Sequence, residues 1–426
     1  MSDTQTNRTT LSQEWKSIPL KFAVQDAQTG IWGNDANGGD DDVLCARVAD
    51  FDRAKSEVVK VPTIRRISSQ DREKCALQRG DLLVEKSGGT EKNPVGTVVS
   101  YQGPLPAVFA NFIFRLRMTT EHDSRFWLYA LSCSHETGRT RNYVRQTTGI
   151  QNLDVDGYMS MKHDAPNLKH QIEIADYLDR ETGEIDAMLA KMDELTQQLL
   201  ERLSVVQTRE VFGLAAGGLE QEPTFHSLLT GIPDHWKRTK FGYDFTESRE
   251  RNGESPVGKL LSISEYRGVE PNRRTKGQKA SSDVSNYRVV RPNQLAANMM
   301  WLNHGGLGVS SHTGYISPDY KAFFISPRFE PRYVHHLFRS SRFVDYFSVI
   351  STGVRPNAQR VTMTILNAAP VPLPPLAEQQ RIADHLDEVT ARIDTMLAKV
   401  AELKALLVER RAALISDVVT GRKDIS

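Results

Sequence analysis

Apolar residues recur at alternating spacings of four and three along two separate stretches of the chain. Leu178, Thr182, Ile185, Leu189, Met192, Thr196, Leu199, Leu203 and Val206 mark the first stripe. Leu386, Thr390, Ile393, Leu397, Val400, Leu407 and Leu414 mark the second, with Lys404 and Arg411 interrupting it at stripe positions. This is a heptad seam, and it predicts two long helices that must find a partner to bury it. A helix of about 45 residues extends near 65 Å at 1.5 Å per residue. The two stretches are also copies of one another. Leu168 to Gly213 aligns without a gap on Leu376 to Gly421, 376 − 168 = 208 residues later, with roughly 20 of 46 positions identical. The identities cover charged positions as well as the stripe: Asp176/Asp384, Asp179/Asp387, Lys191/Lys399, Glu201/Glu409 and Arg202/Arg410 accompany Leu178/Leu386, Ile185/Ile393 and Leu189/Leu397. Two unrelated coiled coils would share only the stripe, so the chain is an internal duplication, and each helix finds its partner in the other copy.

Elsewhere the pattern changes to short apolar runs broken by Gly, Pro and charge, which predicts a β-rich fold with some helix. In the first part these runs are VVKVPTI (58–64), DLLVEK (81–86), GTVVSYQ (96–102) and AVFANFIFRL (107–116). GIWGNDANGGDDD (30–42) reads as an irregular loop. RFWLYALSC (125–133) fits either a helix or a buried strand, and HETGRTRNYVRQTTGIQNL (135–153) reads as partly loop. In the second part VSNYRVV and YKAFFIS read as strands, RYVHHLFRSSRFVDYFSVI (332–350) as helix and STGVRPNAQRVT (351–362) as loop. GIPDHW echoes the Trp15 that opens the first part. The boundaries are 1–163 for a first globular unit, 164–213 for the central helix, 214–371 for a second globular unit and 372–426 for the C-terminal helix. The fold class is α+β: two β-rich domains separated by two long helices that pair as a coiled coil.

Composition adds a sign to this layout. The net charge is +1, but residues 213–371 carry 20 Lys and Arg against 13 Asp and Glu, while 164–212 carry 5 against 11. A basic globular segment suits a polyanionic partner. No apolar run approaches the roughly 18 residues of a membrane span, and the polar N-terminus holds no signal-peptide core. Cys45, Cys75 and Cys133 show no metal-ligand spacing and read as reduced thiols of a cytoplasmic protein.

A catalytic constellation is not found. GGLGVS (305–310) lacks the strand–loop–helix setting of a nucleotide site and reads as a turn, and no P-loop lysine motif occurs. Asn93-Pro94-Val95 lacks the second proline and aromatic of an amino-methyltransferase motif, and no metal site is expected. His335 and His336 read as structural or surface groups. Candidate DNA contacts are basic and amide residues in loops: Arg65, Arg66, Lys86, Lys92, Arg139, Arg141 and Arg145 in the first unit, and Arg249, Arg251, Arg273, Arg274, Lys276, Lys279, Arg355, Asn357 and Arg360 in the second. Arginine suits guanine and asparagine adenine, though most such contacts go to phosphates. Tyr143, Tyr287 and Trp301 read as core rather than DNA-facing. The seam itself is carried by Leu178, Ile185, Leu189, Leu199, Leu386, Ile393, Leu397 and Leu407.

IPDHW (232–236), GDLLVEKSGG (80–89), NMMWLNHGGLGVSSHTGYISPDY (298–320) and above all PLPPLAEQQRIADHLD (372–387) resemble the DNA-specificity subunits of type I restriction-modification systems. The resemblance covers essentially the whole chain. The first half departs from it: HDAPNLKHQIEIADYLD lacks the PLPPLAEQQ form, and 30–42 looks like an insertion. The resemblance implies a non-catalytic host-defence subunit with two target-recognition domains on two long helices packed as an antiparallel coiled coil, in pseudo-two-fold arrangement. Each domain reads one half of a split double-stranded DNA site, and helix length sets the gap between the halves. It implies two adenine methyltransferase (modification) subunits and restriction/translocase subunits as partners, with S-adenosylmethionine, Mg and ATP in those partners and no cofactor here. A specificity module of a different restriction-modification class, and a coiled-coil protein-binding scaffold, are the alternatives.

Overall fold

The computed structural model describes residues 15–90, 93–147, 149–214, 228–264, 267–272, 283–352 and 360–425. Contacts divide the chain into two units, Met1–Lys191 with Leu403–Ser426, and Met192–Glu402. The long helices run unbroken over Leu168–Phe212 and Leu376–Val419, so each gives one part to each unit. Along both, the heptad stripe is the buried or half-buried face: Leu178, Thr182, Ile185 and Leu199 on one helix, and Leu386, Ile393, Val400 and Leu407 on the other, are each under a tenth exposed. Leu189 and Leu397 are half-buried.

In the first unit the start of one helix meets the end of the other. Ile174 and Leu178 share an apolar cluster with Ile415, Val418 and Val419. Asp186 accepts from Arg411 at 3.0 Å, and Tyr177 from Lys423 at 2.8 Å. Partner numbers fall as helix numbers rise, which is antiparallel pairing. Arg411, an interruption of the stripe by sequence, thereby finds a carboxylate at the seam's edge. In the second unit the complementary ends, Val211 and Phe212 with Ile382, Ala383 and Leu386, share a core.

Both helices end the same way. Gly213 and Gly421 take positive φ, 60° and 69°. The following N–H reaches five residues back, Leu214 to Arg209 O and Arg422 to Asp417 O, at 2.9 and 2.8 Å. Glycine is the residue that adopts this left-handed cap at no steric cost.

Each unit carries its own sheets. The first has a five-stranded sheet in the order Val24–Thr29, Ile113–Met118, Leu82–Glu85, Val98–Tyr101, Glu57–Val58. It also has a four-stranded sheet (Asn34–Asp35, Ile64–Arg66, Asp42–Ala46, Ala107–Phe109) and the hairpin Val144–Thr147/Ile150–Leu153. The second unit has two four-stranded sheets: Phe245–Ser248, Lys321–Ile325, Leu295–Ala297, Leu307–Val309, and Gly268–Pro271, Lys259–Ser264, Gly314–Ile316, Arg288–Val290.

Several local expectations are resolved or corrected. Residues 125–133 are helix, within Ser124–Glu136, capped by Asp123. The 58–64 run is not one strand: it splits into Glu57–Val58 and Ile64–Arg66 around Pro62. AVFANFIFRL likewise forms two strands. The expected loop over 135–153 contains the hairpin. The helix over 332–350 is two helices, Pro331–Arg339 and Ser341–Ile350, broken at the extended Ser340. Most of the 351–362 loop lies outside the described residues. Cys45, Cys75 and Cys133 are free and buried, and burial pushes the Cys45 thiol up to about 11.

One wiring pattern occurs in both units. The last strand before each long helix pairs with the unit's first strand: Lys162–Ala165 with Lys16–Pro19, and Pro370–Leu373 with Lys237–Lys240. The fourth residue of each helix, Gln171 or Gln379, is fully buried. The Gln171 amide oxygen accepts from the Asp123 N–H at 3.0 Å, and its nitrogen donates to Pro166 O and His122 Nδ1 at 2.7 and 3.0 Å. Gln379 accepts from the Glu330 N–H at 2.9 Å and donates to Pro374 O and Arg328 O at 2.9 and 3.0 Å. Asp123 and Glu330 are the N-caps of corresponding domain helices.

From those helices Arg125 bridges Asp176 and Asp179, and Arg332 bridges Asp384 and Asp387, at 2.7–3.0 Å. One turn further on, Tyr129 OH donates to Asp179 at 2.8 Å, and His336 Nε2 meets Asp387 at the same distance. Burial alone would raise the Asp387 carboxyl, but His336 and Arg332 outweigh it and hold it below the usual carboxylate range.

A buried glutamine whose three hydrogen bonds are all internal leaves unpaired backbone groups when removed. Gln379→Leu is expected to cost its unit about 3 kcal/mol in urea denaturation, whereas exposed Gln197→Leu stays within about 0.5 kcal/mol. Equal small effects would contradict the clamp.

Candidate nucleic-acid interface

The loop cations divide into those the fold consumes and those it leaves available. In the first unit Arg65 is consumed. Its guanidinium lies 4.3 Å over the Trp32 ring, its Nε donates to Trp32 O at 3.0 Å and its Nη2 to Gly33 O at 3.2 Å, while Nη1 pairs with Asp35. Its side chain is 12% exposed. Arg139 donates to Lys162 O at 2.6 Å and closes its turn onto the strand before the first long helix. Arg145 pairs with Asp154 at 2.6 Å. Arg66, Lys86 and Arg141 make no side-chain hydrogen bond or ion pair among the described residues; Arg66 and Arg141 are exposed and Lys86 half-buried.

In the second unit Arg251 donates to Asn286 O. Arg249 and Arg360 are exposed, and they too make no such bond among the described residues. Lys92, Arg273, Arg274, Lys276, Lys279, Arg355 and Asn357 lie outside the described residues.

Local backbone explains two of these placements. Lys86 sits where the strand Leu82–Glu85 ends: its N–H donates to Phe112 O at 2.8 Å, and its carbonyl accepts from Leu153 N–H at the same length. Loop 86–89, the turn at 112 and the hairpin are therefore stitched together. In the second unit the Gly-rich turn is pinned by Arg339, which donates to Ser264 O, Gly305 O and Leu307 O at 2.9–3.2 Å. His335 Nδ1 accepts from Val309 N–H at 3.2 Å, and burial pushes this histidine down to about 3, so it stays a neutral acceptor. Both histidines of the 335–336 pair are thus committed to internal bonds.

Sequence reasoning missed the exposed aromatics. Trp32 is 38% and Phe112 49% exposed. Trp301, read from sequence as core, is 52% exposed, with His304 tilted against it at 4.9 Å. Tyr287 is half-buried against Tyr315 at 5.7 Å. Tyr143 is half-buried on the first unit's core. The signal for Trp301 was its place in a polar, Gly-rich stretch without period-two alternation. Among the described residues no cluster of His, Cys, Asp and Glu is arranged to hold a metal, and no helix is long and apolar enough to cross a membrane.

Residues 345–405 match the family model described as "Type I restriction modification DNA specificity domain". The matched residues hold Gln379, Asp384 and Asp387, three members of the clamp. The chain is 30% identical over 92 residues to the type I restriction enzyme StySPI specificity subunit of Salmonella potsdam, covering 21% of this chain and 19% of that one. It is 34% identical over 76 residues to the EcoBI specificity subunit of Escherichia coli, covering 17% and 16%. The matches thus span under a fifth of these relatives' length.

Two solved structures share the fold over nearly the whole chain. The HsdS subunit from Thermoanaerobacter tengcongensis is 15% identical with a TM-score of 0.52, covering 98% of this chain and 99% of that one. A chain solved in work on complex assembly and conformational transition of the type I R-M system is 14% identical with a TM-score of 0.62, covering 97% and 100%.

A cation the fold does not use, placed against a phosphate, adds about one to the slope of log affinity on log salt. Arg66→Ala, Arg141→Ala and Arg249→Ala are each expected to lower that slope for random duplex DNA by about one with an unchanged unfolding midpoint. Arg65→Ala is expected to lower the midpoint. The reverse assignment would overturn this division.

Proposed function

We propose that the chain is a DNA-specificity subunit of a type I restriction-modification complex: non-catalytic, cytoplasmic, and recognising a bipartite asymmetric site in double-stranded DNA. The observation that carries this reading is the repeated clamp. The same glutamine and Arg–Asp contacts fasten each unit to its ends of the duplicated helices, while the strand orders and loops they support differ. A chain that keeps its fastening and diverges in its loops presents two unlike surfaces, as a split site with unlike halves requires. The DNA specificity domain and the whole-chain likeness to HsdS support the same reading.

On it, two modification subunits dock around the helices and restriction/translocase subunits join them. S-adenosylmethionine, Mg and ATP are held by those partners. Arg66, Lys86, Arg141, Arg249 and Arg360 are the described cations that meet the nucleic acid.

The test is fluorescence anisotropy with random-sequence duplex DNA across a salt series. The expected result is binding that weakens steeply with salt, because neutralised phosphates release counterions. A coiled-coil protein-binding scaffold gives no binding and no salt slope, and that outcome would remove the proposal.

A further inference from the structure

The first long helix meets its unit at a junction that carries two histidines. His122 stands just before Asp123, the cap of the domain helix Ser124–Glu136, and His163 lies in the strand Lys162–Ala165 that leads into the long helix. Both rings pack edge-on against the fully buried Trp127, with centroids 5.6 and 5.4 Å away. Gln171 ties the same three elements together.

The roles at Gln171 fix the protonation of His122. The amide oxygen is taken by the Asp123 N–H and the amide nitrogen donates to Pro166 O, so the atom facing His122 Nδ1 at 3.0 Å is a donor. Nδ1 must therefore accept, which only a ring nitrogen without a proton can do. A proton there sets two donors against each other. His163 is held neutral for another reason. It is 4% exposed, and its Nε2, like Trp127 Nε1, has no hydrogen-bond partner among the described residues. A charge there would be buried and unpaired. Burial, with Arg139 adding to it, pushes this histidine down to about 3, and burial also lowers His122.

The surrounding charges do not reverse this. The exposed Glu121 acts on His122 against burial and is outweighed. Asp123 accepts from the Arg125 and Phe126 N–H groups, and Arg125 bridges Asp176 and Asp179. On the long helix His170 pairs with Glu173. The strand facing His163 places Ile18 opposite it, and Arg139 donates to the adjoining Lys162 carbonyl. Each histidine thus binds a proton more weakly in the closed junction than in an opened one, where its affinity returns to about pH 6.5. The opened form takes up the protons. Closure is fully favoured above that pH and is lost as pH falls below it, by about tenfold in the opening constant per pH unit and per histidine.

The second unit builds the same junction without them. Counted from its cap Glu330, Phe329 and Val334 stand where the first unit has His122 and Trp127. Counted back from the start of the long helix, Val371 stands for His163. All three are buried in one apolar core. The neutral His335 of that unit faces the turn at Val309 instead.

We propose that the first unit's junction is an acid-sensitive latch, in which protonation of His122 and His163 parts the domain helix and the strand Lys162–Ala165 from the start of the long helix. The latch does not depend on what the chain binds.

The test is hydrogen–deuterium exchange on the full-length chain at pH 7.5 and 5.5, with protection corrected for the intrinsic rate at each pH. Protection over 119–128 and 162–172 is expected to fall roughly 10- to 100-fold at the lower pH, while the strand Asp42–Ala46 of the same unit keeps its protection. Giving the junction the residues of the second unit, with His122→Phe and His163→Val together, is expected to shrink the fall to less than about threefold. His163→Gln, polar but never charged, is expected to reduce it about tenfold. Unchanged protection at pH 5.5, a parallel loss over Asp42–Ala46, or a full loss that persists in the variants overturns the latch.

Discussion

A glutamine with no exposed surface, four residues into each long helix, is the constraint on which the rest depends. Its amide faces the N-cap of a domain helix on one side and the carbonyl that ends the preceding strand on the other. Three hydrogen bonds are made in each copy and none goes to solvent. Buried polar networks are high-stakes: fully satisfied they specify one geometry, and partly satisfied they cost more than an apolar core. Here that geometry fixes where a β-rich unit sits on its helices. The Arg125 and Arg332 bridges one turn away fix the rotation. These exposed ion pairs add little energy on their own; they act by aiming a helix whose position the glutamine has set.

This arrangement separates two jobs. The helices repeat and their clamps keep the buried glutamine and the Arg–Asp bridges, while the sheets differ in strand number and order. The loop cations then sort themselves. Arg65, Arg139, Arg145 and Arg251 hold loops in shape by bonding carbonyls and carboxylates, and Arg66, Lys86, Arg141, Arg249 and Arg360 make no side-chain hydrogen bond or ion pair among the described residues.

Much of the architecture was legible in the chain. The heptad stripe and the ungapped repeat at 208 residues defined both long helices, because a helix that buries one face must show a 3.5-residue period. Gly213 and Gly421 marked their ends, since few other residues accept the left-handed cap. Asp176/Asp384 and Asp179/Asp387 were visible as identities outside the stripe, but their arginine partners were not, because Arg125 and Arg332 lie some fifty residues away on elements that share no sequence pattern. Gln171 and Gln379 align as well, yet nothing in a sequence tells a buried amide from an exposed one on the polar side of a helix. The hairpin at 144–153 was missed because its strands are polar and carry Gln and Asn where an alternating apolar residue would signal sheet. Trp301 misled for the opposite reason, since a large aromatic is ordinarily core. Which loop cations stay available could not be read from sequence at all, because that depends on which carbonyls the fold brings within 3 Å of each.

The central claim is that this chain chooses the DNA sequence on which its complex acts. Genome-wide profiling of methylated adenine, in cells carrying the intact chain and in cells lacking it, tests that claim most directly. The account predicts a bipartite motif of two unlike halves around a fixed gap, modified only when the chain is present. A methylation pattern that is unchanged when the chain is removed, or a motif without a gap, would contradict it.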